Sequence, residues 1–149
     1  MTTHIYVSRR SIQVLRILLS SIFLIASSNH LMNVEQTVNR IDQASFKGIA
    51  YFFGNPELLV ILSGIVMLLA GIAFLIGFKT RWAAIVLLAV VIPITLTVQV
   101  GQINTLGPLF KNIAIIGGLL FFILNDFNKE TKTESKSAQP GLSVKNQKL

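Results

Sequence analysis

The sequence lacks cysteine entirely and has only six acidic residues and two histidines among its 149 residues. Without cysteine the chain cannot itself supply disulfides, thiol nucleophiles, thiol redox relays or iron–sulfur clusters. Its two histidines, His4 and His30, lie at opposite ends of the first apolar segment, so they cannot be paired axial ligands of a haem. The sequence contains no metal-spaced cluster, glycine-rich phosphate loop or Ser/His/Asp arrangement. We therefore predict none of the usual machinery of a soluble enzyme.

Charge is also missing from four long apolar segments. The chain is 52% hydrophobic and 13% charged, with a mean hydropathy of +0.68. The clearest segment is uncharged from Leu58 to Phe78 and would be about 30 Å long as a helix, which is enough to span a bilayer. A soluble domain of this size could not bury so much apolar surface. The pattern predicts an all-α integral membrane protein with a bundle of four transmembrane helices.

The expected organisation is a short basic N-terminus (1–10), a transmembrane domain (11–126) and a disordered tail (127–149). We predict the transmembrane helices at about 11–32, 56–78, 82–101 and 107–125. The connection 33–55 has approximate helical spacing of apolar residues, so it is either partly an amphipathic helix or an irregular cap. Pro93 should bend the third helix without ending it, and the freed carbonyl of Ala89 could be satisfied by Thr95 or a neighbouring helix.

Basic residues indicate the orientation. Of the 13 basic residues, only Arg40, Lys47 and Lys111 lie on the side of the long connection, which leaves ten on the side of the termini. The positive-inside rule therefore places both termini in the cytoplasm. The net charge of +7 is thus interpreted as a topology signal and not as a nucleic-acid-binding surface. The rival interpretation of the first segment, a cleaved signal peptide, rests on Arg9 and Arg10 before an apolar stretch.

Small residues recur within the apolar segments. They are spaced seven residues apart in the first two helices and form a small-xxx-small pair in the fourth. Such residues allow close approach of helices in lipid. The predicted packing residues are Ser20, Ser27, Gly64, Gly71, Gly77, Ala114 and Gly118. The two halves of the chain also share a pattern of basic start, apolar helix, polar outer end and proline, which suggests a tandem two-helix repeat.

Polar side chains gather at one depth. Because the helices alternate in direction, the polar residues at their ends fall near the outer boundary, and such groups are costly in a membrane. The candidate outer polar cluster comprises His30, Glu57, Gln99, Lys111 and Asn112. One interpretation is a salt bridge between Glu57 and Lys111 with His30 nearby. The other is interfacial anchoring of each residue separately.

Several motifs together resemble the DoxX family of small bacterial four-helix membrane proteins. They are Arg-Ile-Leu-Leu from Arg16, Gly71 with Leu75 to Gly77, Lys79-Thr80-Arg81 before Trp82-Ala83-Ala84, and Lys111-Asn112-Ile113-Ala114 before Gly117-Gly118-Leu119-Leu120. The resemblance covers about Arg10 to Leu124 and implies a multi-pass protein of the bacterial inner membrane. Relatives include the DoxD-type subunit of a thiosulfate:quinone oxidoreductase, although most members have no established activity. Many members have an acidic residue four positions before the matched Gly71, where this chain has Met67.

Two functions are expected from these features. The first is an accessory subunit of a quinone-linked membrane redox complex, with quinone as the only cofactor that the resemblance suggests. The second is a non-catalytic membrane scaffold or assembly partner. Small-solute transport is disfavoured, because no charged residue is expected at the bilayer midplane. The partners expected are the lipid bilayer and a membrane redox protein, with no metal and no residue of this chain assigned as catalytic.

Overall fold

A computed structural model describes residues 7–101 and 105–125, and within these residues the chain is helical with no strand. The helices are α1 (Arg9–Met32), α2 (Val34–Asp42), α3 (Lys47–Phe52), α4 (Pro56–Ile76), α5 (Thr80–Val98) and α6 (Leu106–Leu124). Four of them, α1, α4, α5 and α6, are long and apolar enough to cross a membrane. The predicted four-helix membrane bundle is therefore confirmed. His4 and the predicted tail at 127–149 lie outside the described residues.

Local signals set the ends of α4. The Asn55 side chain accepts a hydrogen bond from the backbone N–H of Glu57, and Pro56 occupies the first turn, where its missing N–H costs nothing. At the other end Gly77 has a φ of 87°, and the N–H of Phe78 donates to the carbonyl of Ala73 at 2.9 Å. This is a Schellman ending, which needs a residue that tolerates a left-handed conformation. The chain consequently reverses within a short turn and starts α5 at Thr80.

The four long helices form an antiparallel bundle with two different ends. We call the end with Arg16, the Gly77–Lys79 turn and Arg81 the basic end, and the end covered by α2 and α3 the capped end. Near the basic end the core is solid, because Phe74, Leu87, Leu119 and Phe122 are almost fully buried. The rings of Phe74 and Phe122 meet edge to face at 4.9 Å. The cavity described below lies toward the other end.

Small residues bring α1 close to α4. Ser20 and Ser27 are fully buried, and their hydroxyls donate to the carbonyls of Arg16 and Leu24, so neither is left unsatisfied. Gly64 and Gly71 are also buried, and a Cβ on Gly64 would fall 2.9 Å from Leu31.

On α6 the close approach is made by Gly118, where a Cβ would fall 2.9 Å from a methyl carbon of Leu19. Ala114 is exposed, because the neighbouring Ile115 points to the bundle interior in its place. Of the predicted small-xxx-small pair, Gly118 therefore packs inside the bundle, and Ala114 lies on the outer surface of α6.

α5 continues through Pro93 as one helix from Thr80 to Val98. Proline removes the N–H that would have bonded the carbonyl of Ala89. The Thr95 hydroxyl donates to the carbonyl of Val91 at 2.7 Å, so it does not replace the missing bond to Ala89. The expectation of a continuous helix is met, whereas the assignment of Thr95 to Ala89 is not.

The 33–55 connection forms a cap made of two short helices. α2 packs on α4 and α1, and α3 packs on α5. Ile41 and Ala50 are buried with Val60 in a small second core, while Val34 and Val38 pack against it. Of the two alternatives for this connection, the structure therefore has the amphipathic helix, and the cap is helical where the other alternative expected an irregular one. The cap leaves Phe52 and Phe53 exposed, at 86% and 63% of their surfaces.

Candidate functional site

A cavity of about 470 Å³ lies beneath the cap, inside the end of the bundle where α1 and α5 finish and α4 and α6 begin. All six helices contribute to its wall. Along α5 the lining residues extend from Ala89 to Gln99, which is about 15 Å at 1.5 Å per residue. The cavity therefore extends from the capped end to about half the depth of a bilayer core. Its volume is in the usual range of small-molecule sites, about 300–1,000 Å³.

The inner part of the cavity is apolar. Phe23, Met67, Val91 and Ile115, one from each long helix, line the cavity and are at most 6% exposed. No charged residue occurs among them. We call these four residues the floor. Met67 can neither exchange a proton nor form a strong hydrogen bond.

The outer part of the cavity is polar. It is lined by His30 at the end of α1, Arg40 on α2, Gln99 after α5, and Lys111 and Asn112 in α6. We call these five residues the rim. The rim contains two cations, and none of the described aspartates and glutamates lines the cavity. The site is consequently suited to a ligand that is apolar at one end and has hydrogen-bond acceptors or negative charge at the other.

Two polar atoms in the rim have no hydrogen-bond partner in the described part of the chain. They are Nδ1 of His30 and Oε1 of Gln99, and both atoms are buried. Buried polar atoms are nearly always bonded to protein, water or a ligand, so each such atom needs an explanation. In contrast, the Asn112 side chain is anchored, because its Nδ2 donates to the Thr95 hydroxyl at 2.8 Å across the α5–α6 interface.

The structure brings together four of the five residues of the predicted polar cluster. His30, Gln99, Lys111 and Asn112 line one cavity, but Glu57 does not. Glu57 is exposed in the first turn of α4, where a negative charge is favoured by the helix dipole. Glu57 and Lys111 form no ion pair with each other in the described part of the chain.

Sequence reasoning missed Arg40 and Thr37, which enter the cavity wall from α2. Both lie beside Ile41, which is buried under the cap. A helical projection of 34–42 would have placed them near the apolar face, but it could not have shown that this face covers a cavity.

The bundle of four long apolar helices defines a multi-pass membrane protein with a cavity at its capped end. The sequence model of the DoxX family matches residues 11–100, which is more than half of the chain, and the protein belongs to the DoxX family. The matched segment runs from the first turn of α1 to just past the end of α5 and includes Met67, whereas Lys111 and Asn112 on α6 lie beyond it. Searches of curated proteins and of solved structures found no match.

Proposed function

We propose that this protein is the quinone-binding membrane subunit of a redox system whose electron donor belongs to a partner protein. One observation carries the proposal: a single cavity joins an apolar floor near the middle of the bundle to a rim of hydrogen-bond donors at the membrane boundary. A quinone has the matching polarity, because its ring carries two carbonyl acceptors and its tail is hydrocarbon.

The residues present fit such a ligand. Lys111 and Arg40 can donate charge-assisted hydrogen bonds to carbonyl oxygens, and the unpartnered His30 Nδ1 and Gln99 Oε1 can bond the carbonyl or hydroxyl form of the ring. Phe23, Met67 and Ile115 would contact the tail. Because Met67 is apolar, the head group belongs at the rim and not at the floor. When bound, a quinone would supply the capacity to accept two electrons and two protons.

The proposed role is accessory because the sequence excludes thiol-based electron carriers in this chain. The chain has no cysteine with which to hold an iron–sulfur cluster or form a redox-active dithiol. The residues around the cavity therefore bind, orient and desolvate the ligand, and a partner must deliver the electrons. By the positive-inside rule and the DoxX resemblance, we place the protein in a bacterial cytoplasmic membrane with the capped end outside.

The proposal is tested by binding of a photoreactive short-chain quinone to the protein in nanodiscs, with the labelled peptides identified by mass spectrometry. We expect labelling of peptides that line the cavity. The substitution Lys111→Met should weaken binding about tenfold, since one charge-assisted hydrogen bond contributes about 1.5 kcal/mol. The exposed Lys47, which does not line the cavity, provides the control variant Lys47→Met.

A second pair of variants tests the floor. Val91→Phe inserts a ring into the cavity and should abolish binding, whereas Val86→Phe adds the same ring on the exposed face of α5 and should not. Equal quinone affinity in Val91→Phe and the wild type would contradict the proposal. If no quinone binds and crosslinking returns a reproducible partner protein, the scaffold function is favoured instead.

A further inference from the structure

Arg16 has an unusual position at the basic end. It lies in the second turn of α1, and its guanidinium occupies the space beside Gly77 at the end of α4. A Cβ built on Gly77 would overlap Nη1 of Arg16 and fall 3.0 Å from its Cζ. Glycine at this position therefore makes room for the guanidinium as well as for the turn. The Nε of Arg16 is buried and has no hydrogen-bond partner in the part of the chain that the structure describes.

The described residues provide no carboxylate for this cation. Their three acidic residues, Glu35, Asp42 and Glu57, are all at the capped end. Glu57 precedes Gly77 by 20 residues of sequence, mostly helical, which separates them by roughly 30 Å. The C-terminal carbonyls of α4 contribute only about half a negative charge. Arg16 thus lacks a full counter-charge within 7–101 and 105–125.

Two more cations lie at the same end of the bundle. Lys79 on the turn after Gly77 and Arg81 in the first turn of α5 are both exposed. The exposed Trp82 beside Arg81 has the amphipathic character of a residue at the membrane interface. A half-buried guanidinium with further cations at the same end of the bundle suits a phosphate, because phosphate accepts bidentate hydrogen bonds from arginine. Phosphodiesters of lipids are present at high density at this depth of a bilayer. Basic pockets between helices on the cytoplasmic side bind anionic head groups.

We propose that Arg16, with Lys79 and Arg81, binds the phosphate of an anionic phospholipid at the inner end of the α1–α4 interface. The lipid supplies the counter-charge that the described chain lacks and joins the start of α1 to the end of α4. This site is at the opposite end of the bundle from the cavity and does not depend on quinone binding.

Native mass spectrometry of the full chain, released from nanodiscs containing phosphatidylcholine and phosphatidylglycerol, tests the proposal. We expect phosphatidylglycerol to be retained by the wild type and lost from Arg16→Gln, with an affinity about tenfold or more lower. The control is Arg10→Gln, which removes the same charge from an exposed site about 240° around the helix from Arg16. It should keep the bound lipid. Retention of phosphatidylglycerol by Arg16→Gln at wild-type affinity would refute the proposal.

Thermal unfolding separates lipid binding from a purely structural role of Arg16. Phosphatidylglycerol should raise the unfolding midpoint of the wild type over that in phosphatidylcholine alone. The increase should vanish in Arg16→Gln and be partly kept in Arg16→Lys, which preserves charge without the planar donor group. An equal loss of stability in both bilayers would mean that Arg16 only caps α4. If inorganic phosphate in phosphatidylcholine nanodiscs reproduced the whole increase, the site would bind free phosphate and the lipid proposal would be wrong.

Discussion

At the scale of single residues, two glycines of this protein have opposite requirements. Gly77 has a positive φ and a guanidinium where its side chain would be, while Gly117 is exposed and a Cβ there would meet nothing within 4 Å. The same residue type is thus required at one position and dispensable at the other. This contrast gives a matched pair of substitutions in one protein.

Gly77→Ala should lower the free energy of unfolding by about 1–2 kcal/mol, since alanine is strained in the left-handed region. Gly117→Ala should leave stability unchanged or raise it by up to about 1 kcal/mol, because alanine favours a helix over glycine. Reversible unfolding in mixed micelles measures both values. A loss in Gly117→Ala as large as that in Gly77→Ala would contradict the packing of α6 described above.

At the scale of elements, a side-chain hydrogen bond connects the two cap helices α2 and α3 near the protein surface. The hydroxyl of Tyr51 on α3 donates to Oδ1 of Asp42 at the end of α2. This hydrogen bond and the negative charge of Asp42 favour the neutral phenol. Together with desolvation they raise the pKa of Tyr51 above its ordinary value of 10.0.

The sign of the pH effect follows from this shift. Because the folded-state pKa of Tyr51 is raised, its hydrogen bond to Asp42 contributes fully to the stability of the cap below pH 10. This contribution is lost as the pH rises through the folded-state pKa. In a Tyr6→Phe background only Tyr51 can form tyrosinate, since the chain has two tyrosines. Absorbance titration should give a midpoint above 10 that returns toward the ordinary value in Asp42→Ala. An unchanged midpoint in Asp42→Ala would show that the hydrogen bond is not formed in solution.

At the scale of the whole molecule, the two ends of the bundle differ in charge and in packing. The basic end has a solid core, and the capped end has the cavity with every described acidic residue nearby. The positive-inside rule predicts that the cap faces the outside and that the cavity lies in the outer half of the membrane.

The native chain has no cysteine, so single cysteines can report this orientation without background. Asn39→Cys on α2 should react with a membrane-impermeant maleimide in intact cells, and Lys79→Cys should react only after permeabilisation. Both positions are exposed, so a difference in labelling reports sidedness and not burial. Labelling of Lys79→Cys in sealed cells would reverse the orientation.

Sequence by itself predicted the class of the protein and the number of its spans. That inference needs only the length of each apolar segment, because a helix rises about 1.5 Å per residue and the hydrocarbon core is about 30 Å thick. The alternating direction of successive spans also predicted that one end of the bundle contains His30, Gln99, Lys111 and Asn112. The absence of thiol chemistry also follows from composition alone.

The tertiary structure decided which face of each helix points inward. A helix that is apolar all round, such as α4, has no polar face to reveal its interior side. The structure therefore had to show that Met67 lies in the cavity floor and that Ala114 faces outward. It also had to show that the cap carries Arg40 over the cavity while Glu57 stays outside it, because such contacts depend on the packing of segments distant in sequence.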